Sequence, residues 1–127
     1  MNKSHALHSL YKITALQENP EKAIATIVLN EESEIYKAHF PSDPITPGVC
    51  ELIMIKEVLC TLYPDMHVAL SSARQIKFID VIRPTEVKSF FLELKHQLDE
   101  DNILVDARIF KEQTDFLKAK LNYLISA

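Results

Sequence analysis

The segment "PGVCELIMIKEVLCTLY", residues 47–63, decides the fold of this chain. It predicts a helix: Thr46 is a suitable N-cap, Pro47 suits the first helical position because its missing N–H is not needed there, and Pro64 ends the helix. Apolar side chains point nearly all round, which is typical of a helix buried on most sides. They are Val49, Leu52, Ile53, Met54, Ile55, Val58, Leu59 and Leu62. In a small domain only a curved sheet can bury so much, so we expect one long central helix wrapped by a sheet.

The rest of the chain supplies that sheet. Two extended stretches precede the helix, with the turn signal "ENP" at 18–20 between them, and four more follow it. In the last three, apolar residues alternate with polar ones. The six stretches lie at about 9–17, 23–30, 76–82, 90–97, 103–109 and 117–125. We therefore predict an α+β fold, a curved antiparallel sheet of about five to six strands around the helix, in a single domain over residues 1–127.

Composition narrows the class of protein. The chain has 127 residues, of which 47% are apolar and 25% charged, as expected of a soluble domain. The net charge of −4 argues against a general nucleic-acid binder. The start, "MNKSHALHSLYK", lacks the apolar core of a signal peptide, and the stretch 49–62 is too short and too charged to span a membrane. We expect a cytoplasmic protein with no membrane span and no nucleic-acid partner.

The sequence contains no motif that indicates a metal or cofactor site. Cys50 and Cys60 would lie roughly 15 Å apart on one helix, so we predict two free thiols. His5 and His8 are three residues apart but have no further ligands nearby, and neither Cys-x-x-Cys nor His-Glu-x-x-His occurs. A single glycine excludes a phosphate-binding glycine loop and a Gly-x-Ser-x-Gly elbow. We predict no metal and no cofactor.

A proline-rich loop, "HFPSDPITPG" at 39–48, leads into the helix and holds the only glycine of the chain. It resembles the His-Phe-Pro-x-x-Pro-x-x-Pro-Gly signature of the β-hydroxyacyl-(acyl carrier protein) dehydratases of fatty acid synthesis. The order of the elements extends this resemblance over most of the chain and implies the hot-dog fold of that family. "IRPTE" at 82–86 matches more weakly, with Thr85 where the family has glycine. The positions in register are His39, Phe40, Pro41, Pro44, Pro47, Gly48 and Val49.

The resemblance assigns roles in dehydration to two residues of this loop. The reaction needs a base, an acid, and donors that stabilise charge growing on the thioester oxygen. The resemblance implies that His39 is the base and that the backbone N–H of Gly48 is the donor, at a helix N-terminus with no side chain in the way. It also implies a cis peptide at His39–Phe40. The alternatives are a solvated histidine and a Pro-Gly pair that only forms a tight turn.

The acid of the family is missing. It lies fourteen residues after the histidine, where this chain has Ile53, which cannot donate a proton. Glu57 shares the helical face of Ile53, roughly 5–6 Å along, whereas Glu51 lies about 200° around the helix. We therefore predict Glu57 as the substitute acid; the alternative is that Glu57 reaches solvent or pairs with a lysine. Glu51, near the helix start, would interact favourably with the helix dipole.

The resemblance also implies partners and a substrate. The active unit would be a homodimer or higher even oligomer with sites shared between subunits, and an apolar tunnel would hold the acyl chain. The carrier protein is acidic, so basic residues should meet it, unless they are only solvated charges; the candidates are Arg74, Lys77 and Arg83. The residues assigned to the acyl chain are Phe40, Pro47, Val49, Ile53, Met54, Phe78 and Phe90. For Ile53, Met54, Phe78 and Phe90, the alternative is packing in the core.

Three functions follow from the sequence. The first is a hydro-lyase that dehydrates 3-hydroxyacyl-(acyl carrier protein) thioesters in fatty acid or related lipid or polyketide synthesis. The second is a dehydratase-like acyl-binding subunit without full catalysis, paired with an active homologue. The third is a thioesterase, since hot-dog folds also hydrolyse acyl thioesters.

Overall fold

The computed structural model describes residues 9–38 and 42–127 of the chain. Within them, two helices are α1 (Glu34–Ala38) and α2 (Gly48–Leu62). The strands are β1 (Tyr11–Glu18), β2 (Lys22–Leu29), β3 (His67–Phe78), β4 (Ser89–Asp99), β5 (Asn102–Lys111) and β6 (Thr114–Ser126).

The strands form a six-stranded sheet in the order β1-β2-β4-β5-β6-β3, and every neighbouring pair is antiparallel. The predicted antiparallel sheet is therefore confirmed. The prediction of a strand over 76–82 is wrong in its bounds, because β3 begins at His67 and ends at Phe78. Small and polar residues in "HVALSSARQ" hide the start of this strand, which pairs with β6 although nearly all its side chains are exposed.

The helical residues are divided between two short helices, α1 with five residues and α2 with 15, in place of the one long helix expected. The predicted N-cap is also wrong. Pro47 occupies the cap position with extended backbone (φ −62°, ψ 142°), and no side chain caps α2. The hydroxyl of Thr46 lies 2.7 Å from the hydroxyl of Tyr36 and is therefore engaged elsewhere.

The core lies between one face of the sheet and one side of α2. Alternate residues of the strands are buried together with Met54, Ile55 and Leu59 of α2 in a single cluster. The other side of α2 is open, since Val49 is 63% exposed and Ile53 is half-buried. The sheet thus covers the helix on one side only, although its sequence is apolar nearly all round.

The edge strand β3 exposes large apolar side chains. Leu70 is 49% exposed, Ile76 37% and Phe78 52%, and Ile79 and Val81 just after the strand are similarly open. An edge strand also leaves one row of backbone N–H and C=O groups unpaired. Exposed apolar groups in such numbers are typical of interaction surfaces.

Two further findings concern the described residues only. Cys50 and Cys60 are free, as predicted. Neither described helix is both long enough and apolar enough to cross a bilayer.

Candidate functional site

The N-terminal tip of α2 is the centre of the candidate site. Gly48 is the first helical residue, so its N–H has no acceptor within the helix. The first backbone bonds at this end run from the N–H groups of Cys50 and Glu51 to the carbonyl of Pro47, at 3.0 and 3.4 Å. Among the described residues, the N–H groups of Gly48 and Val49 donate to no acceptor. The tip can therefore donate hydrogen bonds to a negatively charged or carbonyl oxygen.

The loop before α2 is held at two points on its described side. Thr46 bonds Tyr36 of α1 through its hydroxyl, and its N–H donates to the carbonyl of Ile82 at 2.8 Å. Burial raises the pKa of Tyr36 to about 12, so its hydroxyl remains neutral and available for this bond. His39, Phe40 and the peptide bond between them lie outside the described residues. The roles of His39 and Phe40, and the cis bond, stay predictions.

Phe78 lies directly against Gly48. A Cβ on Gly48 would come within 2.7 Å of Cε1 and Cζ of the Phe78 ring, closer than real Cβ atoms approach a neighbour. A side chain at this position would therefore force the half-exposed Phe78 ring to move, and the glycine leaves room for that ring. The structure brings these two predicted site residues together, and Phe78 is half exposed beside the tip.

Glu57 has a partner that the sequence did not suggest. The Tyr11 hydroxyl of β1 donates to Glu57 Oε2 at 2.9 Å. Burial, followed by the bond to Glu57 and its charge, raises the pKa of Tyr11 far above its ordinary value. Glu57 is only half-buried and so still meets solvent, and among the described residues no lysine pairs with it. The only feature of the sequence that bore on this contact was that Tyr11 lies in a predicted strand.

Glu51 is buried inside the protein. Its side chain is 2% exposed, and within residues 9–38 and 42–127 its Oε1 has no hydrogen-bond partner. Burial raises its pKa to about 8, so the carboxyl carries a proton at neutral pH. The expected interaction between an ionised Glu51 and the helix dipole is therefore wrong. The prediction that Glu51 points away from Ile53 agrees with its burial, because Ile53 is only half-buried.

A half-buried histidine at the other end of α2 was also missed. His96 Nδ1 lies 2.7 Å from the hydroxyl of Tyr63, and its buried Nε2 has no partner in the part of the chain that the structure describes. Burial lowers the pKa of His96, which favours the neutral ring. Because Tyr63 follows the last residue of α2, this pair lies far from Gly48 and fixes the C-terminal end of the helix against β4.

The remaining predicted residues lie in four environments. Met54 and Phe90 are fully buried in the core cluster, which is the packing alternative named above. Pro47 is half-buried beside the tip. Arg83 is engaged in an ion pair, with its Nε 3.1 Å from Asp43 Oδ1. Arg74 and Lys77 lie along β3, and each lines a depression on the sheet surface from which Arg83 is absent.

Comparison with known proteins identifies relatives. The model of the ApeI-like family, described as ApeI dehydratase, matches residues 15–118. A 3-hydroxyacyl-[acyl-carrier-protein] dehydratase FabZ from Levilactobacillus brevis is 28% identical over 88 residues, which are 62% of this chain and 58% of that protein. The match thus spans less than two thirds of the curated relative.

Solved structures show the same fold. The dehydratase heterocomplex ApeI:P from Xenorhabdus doucetiae superposes with a TM-score of 0.76 at 19% identity, covering 90% of this chain and 97% of that chain. The protein yhdA from Lactococcus lactis, provisionally assigned as a thioesterase, gives a TM-score of 0.72 at 12% identity and covers 98% of both chains. These likenesses establish the hot-dog fold.

Proposed function

The chain belongs to the ApeI-like dehydratase family, and we propose that it removes water from 3-hydroxyacyl thioesters held by acyl carrier protein, in fatty acid or related lipid or polyketide synthesis. The observation that carries this proposal is the tip of α2, where the N–H of Gly48 has no acceptor among the described residues and follows a loop with the dehydratase signature. An N–H at the positive end of a helix is a suitable donor to a thioester oxygen.

In the proposed reaction, His39 removes the proton next to the thioester carbonyl. The Gly48 N–H stabilises the negative charge that grows on the carbonyl oxygen, and the helix dipole adds to this effect. The bond from the β carbon to the hydroxyl then breaks, and the hydroxyl leaves as water after it gains a proton. The product is an unsaturated acyl thioester.

The donor of that last proton is the open part of the mechanism, because Ile53 stands at the usual acid position. We assign the role to Glu57 acting through a water molecule. For this step the Glu57 carboxyl must start with a proton, which it gives to the bridging water while that water passes one of its own protons to the departing hydroxyl. After the product leaves, His39 releases its proton to solvent and solvent returns one to Glu57. The Tyr11 hydroxyl donates to Glu57 Oε2 and so holds the side chain in place.

We propose that the protein acts as a homodimer or higher even oligomer. The exposed side of α2, with Val49 and the half-buried Ile53, and the apolar side chains of β3 need a cover that a second subunit would supply. In the proposed dimer, the acyl chain lies in the space enclosed between the two copies. Its walls would include Phe40, Pro47, Val49, Ile53 and Phe78.

A second candidate function is an acyl-binding subunit without full catalysis, and Ile53 is the observation that favours it. Such a chain would hold the acyl group and pair with a related chain that supplies a carboxylate. The heterocomplex of the similar ApeI:P protein is a precedent for pairing of unlike chains in this fold.

One assay tests these functions. Purified protein receives a 3-hydroxyacyl-carrier-protein and, separately, a saturated acyl thioester, with a His39→Ala variant as control. Loss of water from the first substrate, abolished in the variant, is the expected result. Free thiol released from the second would indicate hydrolysis instead. No reaction in either, with a stable dimer, would favour the acyl-binding subunit, and activity gained by Ile53→Glu would identify the lost acid position.

A further inference from the structure

Two backbone donors at the start of α2 lack an acceptor although the chain has a residue placed to supply one. A threonine that caps a helix accepts hydrogen bonds from the N–H groups two and three residues further along the chain. For Thr46 these are the N–H groups of Gly48 and Val49, which donate to no acceptor among the described residues. The Thr46 hydroxyl lies 2.7 Å from the hydroxyl of Tyr36 instead. The cap that the sequence offers to α2 is thus turned away from the helix.

The short helix α1 has the cap that α2 lacks. Ser33 lies directly before α1, and its Oγ accepts the N–H of Ile35 at 3.2 Å. Such a bond stabilises a helix because it satisfies a donor that has no partner within the helix. Helix α2 does without this contribution, so helix stability does not explain its two free N–H groups. Free N–H groups at a helix start are, however, what an incoming carbonyl oxygen needs.

The contact that holds the Thr46 hydroxyl lies in the interior of the protein. Tyr36 is 2% exposed and Thr46 is 3% exposed, so each hydroxyl depends on the other for a partner. Burial raises the pKa of Tyr36 to about 12, and its neutral hydroxyl can keep this bond throughout the physiological range. The backbone of Thr46 is held separately, because its N–H donates to the carbonyl of Ile82 at 2.8 Å. Removal of the Tyr36 hydroxyl would therefore release the side chain of Thr46 and leave its backbone in place.

We infer that Tyr36 is a positioning residue for dehydration: it holds the Thr46 hydroxyl away from the tip of α2 and so keeps the Gly48 N–H free for the thioester oxygen. This inference rests on the proposed function. Without Tyr36, the Thr46 hydroxyl would be buried with no partner, which is unfavourable. Rotation about the Cα–Cβ bond of Thr46 would offer it the two free donors. The hydroxyl would then compete with the substrate for the N–H that stabilises the growing charge.

The single glycine of the chain makes the helix tip directly observable. Protein made by cell-free synthesis with 15N-labelled glycine has one labelled backbone amide, that of Gly48. The rate at which this amide exchanges hydrogen with water, measured by NMR, shows whether it has an acceptor. Wild type should exchange rapidly, and Tyr36→Phe should exchange about fivefold or more slowly, as expected for one added hydrogen bond. Thr46→Val and Tyr36→Phe/Thr46→Val have no hydroxyl to cap the helix and should exchange like wild type.

Steady-state kinetics with a carrier-free 3-hydroxyacyl thioester gives a second measurement. Tyr36→Phe should lower kcat by about tenfold or more with little change in KM, because a donor to the growing charge acts mainly in the transition state. Thr46→Val breaks the same contact without freeing a hydroxyl, so it should retain most of the wild-type kcat. Adding Thr46→Val to Tyr36→Phe should restore kcat. The control Tyr63→Phe removes a hydroxyl contact of equal length, 2.7 Å to His96, at the other end of α2 and should match wild type in both measurements.

The double variant separates this role from one of merely holding the loop. If Tyr36 only held the loop, Tyr36→Phe and Thr46→Val would lower kcat equally and the double variant would restore nothing. That result would overturn the inference, as would equal exchange of the Gly48 amide in wild type and Tyr36→Phe. Slow exchange in the wild type would overturn it even if Tyr36→Phe failed to fold.

The two measurements also distinguish this inference from the proposed function. Dehydration by the wild type, with an amide signal that Tyr36→Phe leaves unchanged, rejects the role of Tyr36 and leaves the proposed function standing. The expected changes in amide exchange, without dehydration of any substrate by the wild type, support the role of Tyr36 at the helix tip and reject the proposed function.

Discussion

Replacing Glu51 by Gln should stabilise the protein, and by an amount that depends on pH. Glu51 is 2% exposed, its Oε1 has no hydrogen-bond partner among the residues that the structure describes, and its pKa rises through burial from 4.5 to about 8. In the unfolded chain the carboxyl loses its proton near its ordinary pKa, whereas in the folded protein it keeps the proton until about pH 8. The folded state therefore binds more protons than the unfolded state throughout this window.

This difference fixes the sign and size of the effect. Because the unfolded state holds fewer protons, the free energy of unfolding falls as pH rises from about 4.5 to about 8, and then levels off. Each unit of pKa difference corresponds to about 1.4 kcal/mol, so the total loss from this one residue approaches roughly 5 kcal/mol. Gln has a similar shape and no proton to lose, so Glu51→Gln lacks this loss.

Urea unfolding of wild type and Glu51→Gln at several pH values between 4.5 and 8.5, at one protein concentration, measures the effect. The two proteins should be nearly equal in stability at the acid end, and the variant should lead by several kcal/mol at the alkaline end. Glu32→Gln, at an exposed position, should follow the wild-type curve within about 0.5 kcal/mol. Parallel curves for wild type and Glu51→Gln across this range would refute the reasoning.

Two further predictions concern contacts at the candidate site. Gly48→Ala should lower the free energy of unfolding by about 0.5–1.5 kcal/mol, because the new Cβ meets the half-exposed Phe78 ring at 2.7 Å and forces it away from its rotamer. Adding Phe78→Ala should restore most of that loss in urea unfolding, and a double variant no more stable than Gly48→Ala would contradict the contact. Tyr11→Phe should cost about 1.5–3 kcal/mol, since it removes a hydrogen bond to a carboxylate. A double-mutant cycle with Glu57→Gln should then show a coupling energy, and simple additivity of the two changes would argue against the bond.

The alternating strands were readable from the sequence because their two faces meet different environments. In β5, Ile103, Val105, Ala107 and Ile109 all face the core, so the period of two is complete. Sequence reasoning failed at β3, where both faces are exposed and burial imposes no alternation. A strand that is held mainly by its backbone pairing with β6 leaves little trace in its side chains.

The candidate site was only partly readable for a similar reason. Gly48 was identified from a local motif, and its place at the tip of α2 depends on neighbouring residues alone. The bond from Tyr11 to Glu57 joins residues 46 apart, and the burial of Glu51 depends on how the helix packs. Neither of these long-range contacts produces a spacing pattern in the sequence. Helix periodicity could place Glu51 and Glu57 on different faces of α2, but it could not show which of them is buried.

The strand order has a consequence for how the chain folds. β3 pairs only with β6, so its partner becomes available after β4 and β5 have both been synthesised. Until then, Leu70, Ile76 and Phe78 sit on a segment with no hydrogen-bonded neighbour, while β1, β2, β4 and β5 can already assemble as a growing meander. Nascent chains that stall before β6 should therefore be prone to aggregate and should bind chaperones through residues 67–78.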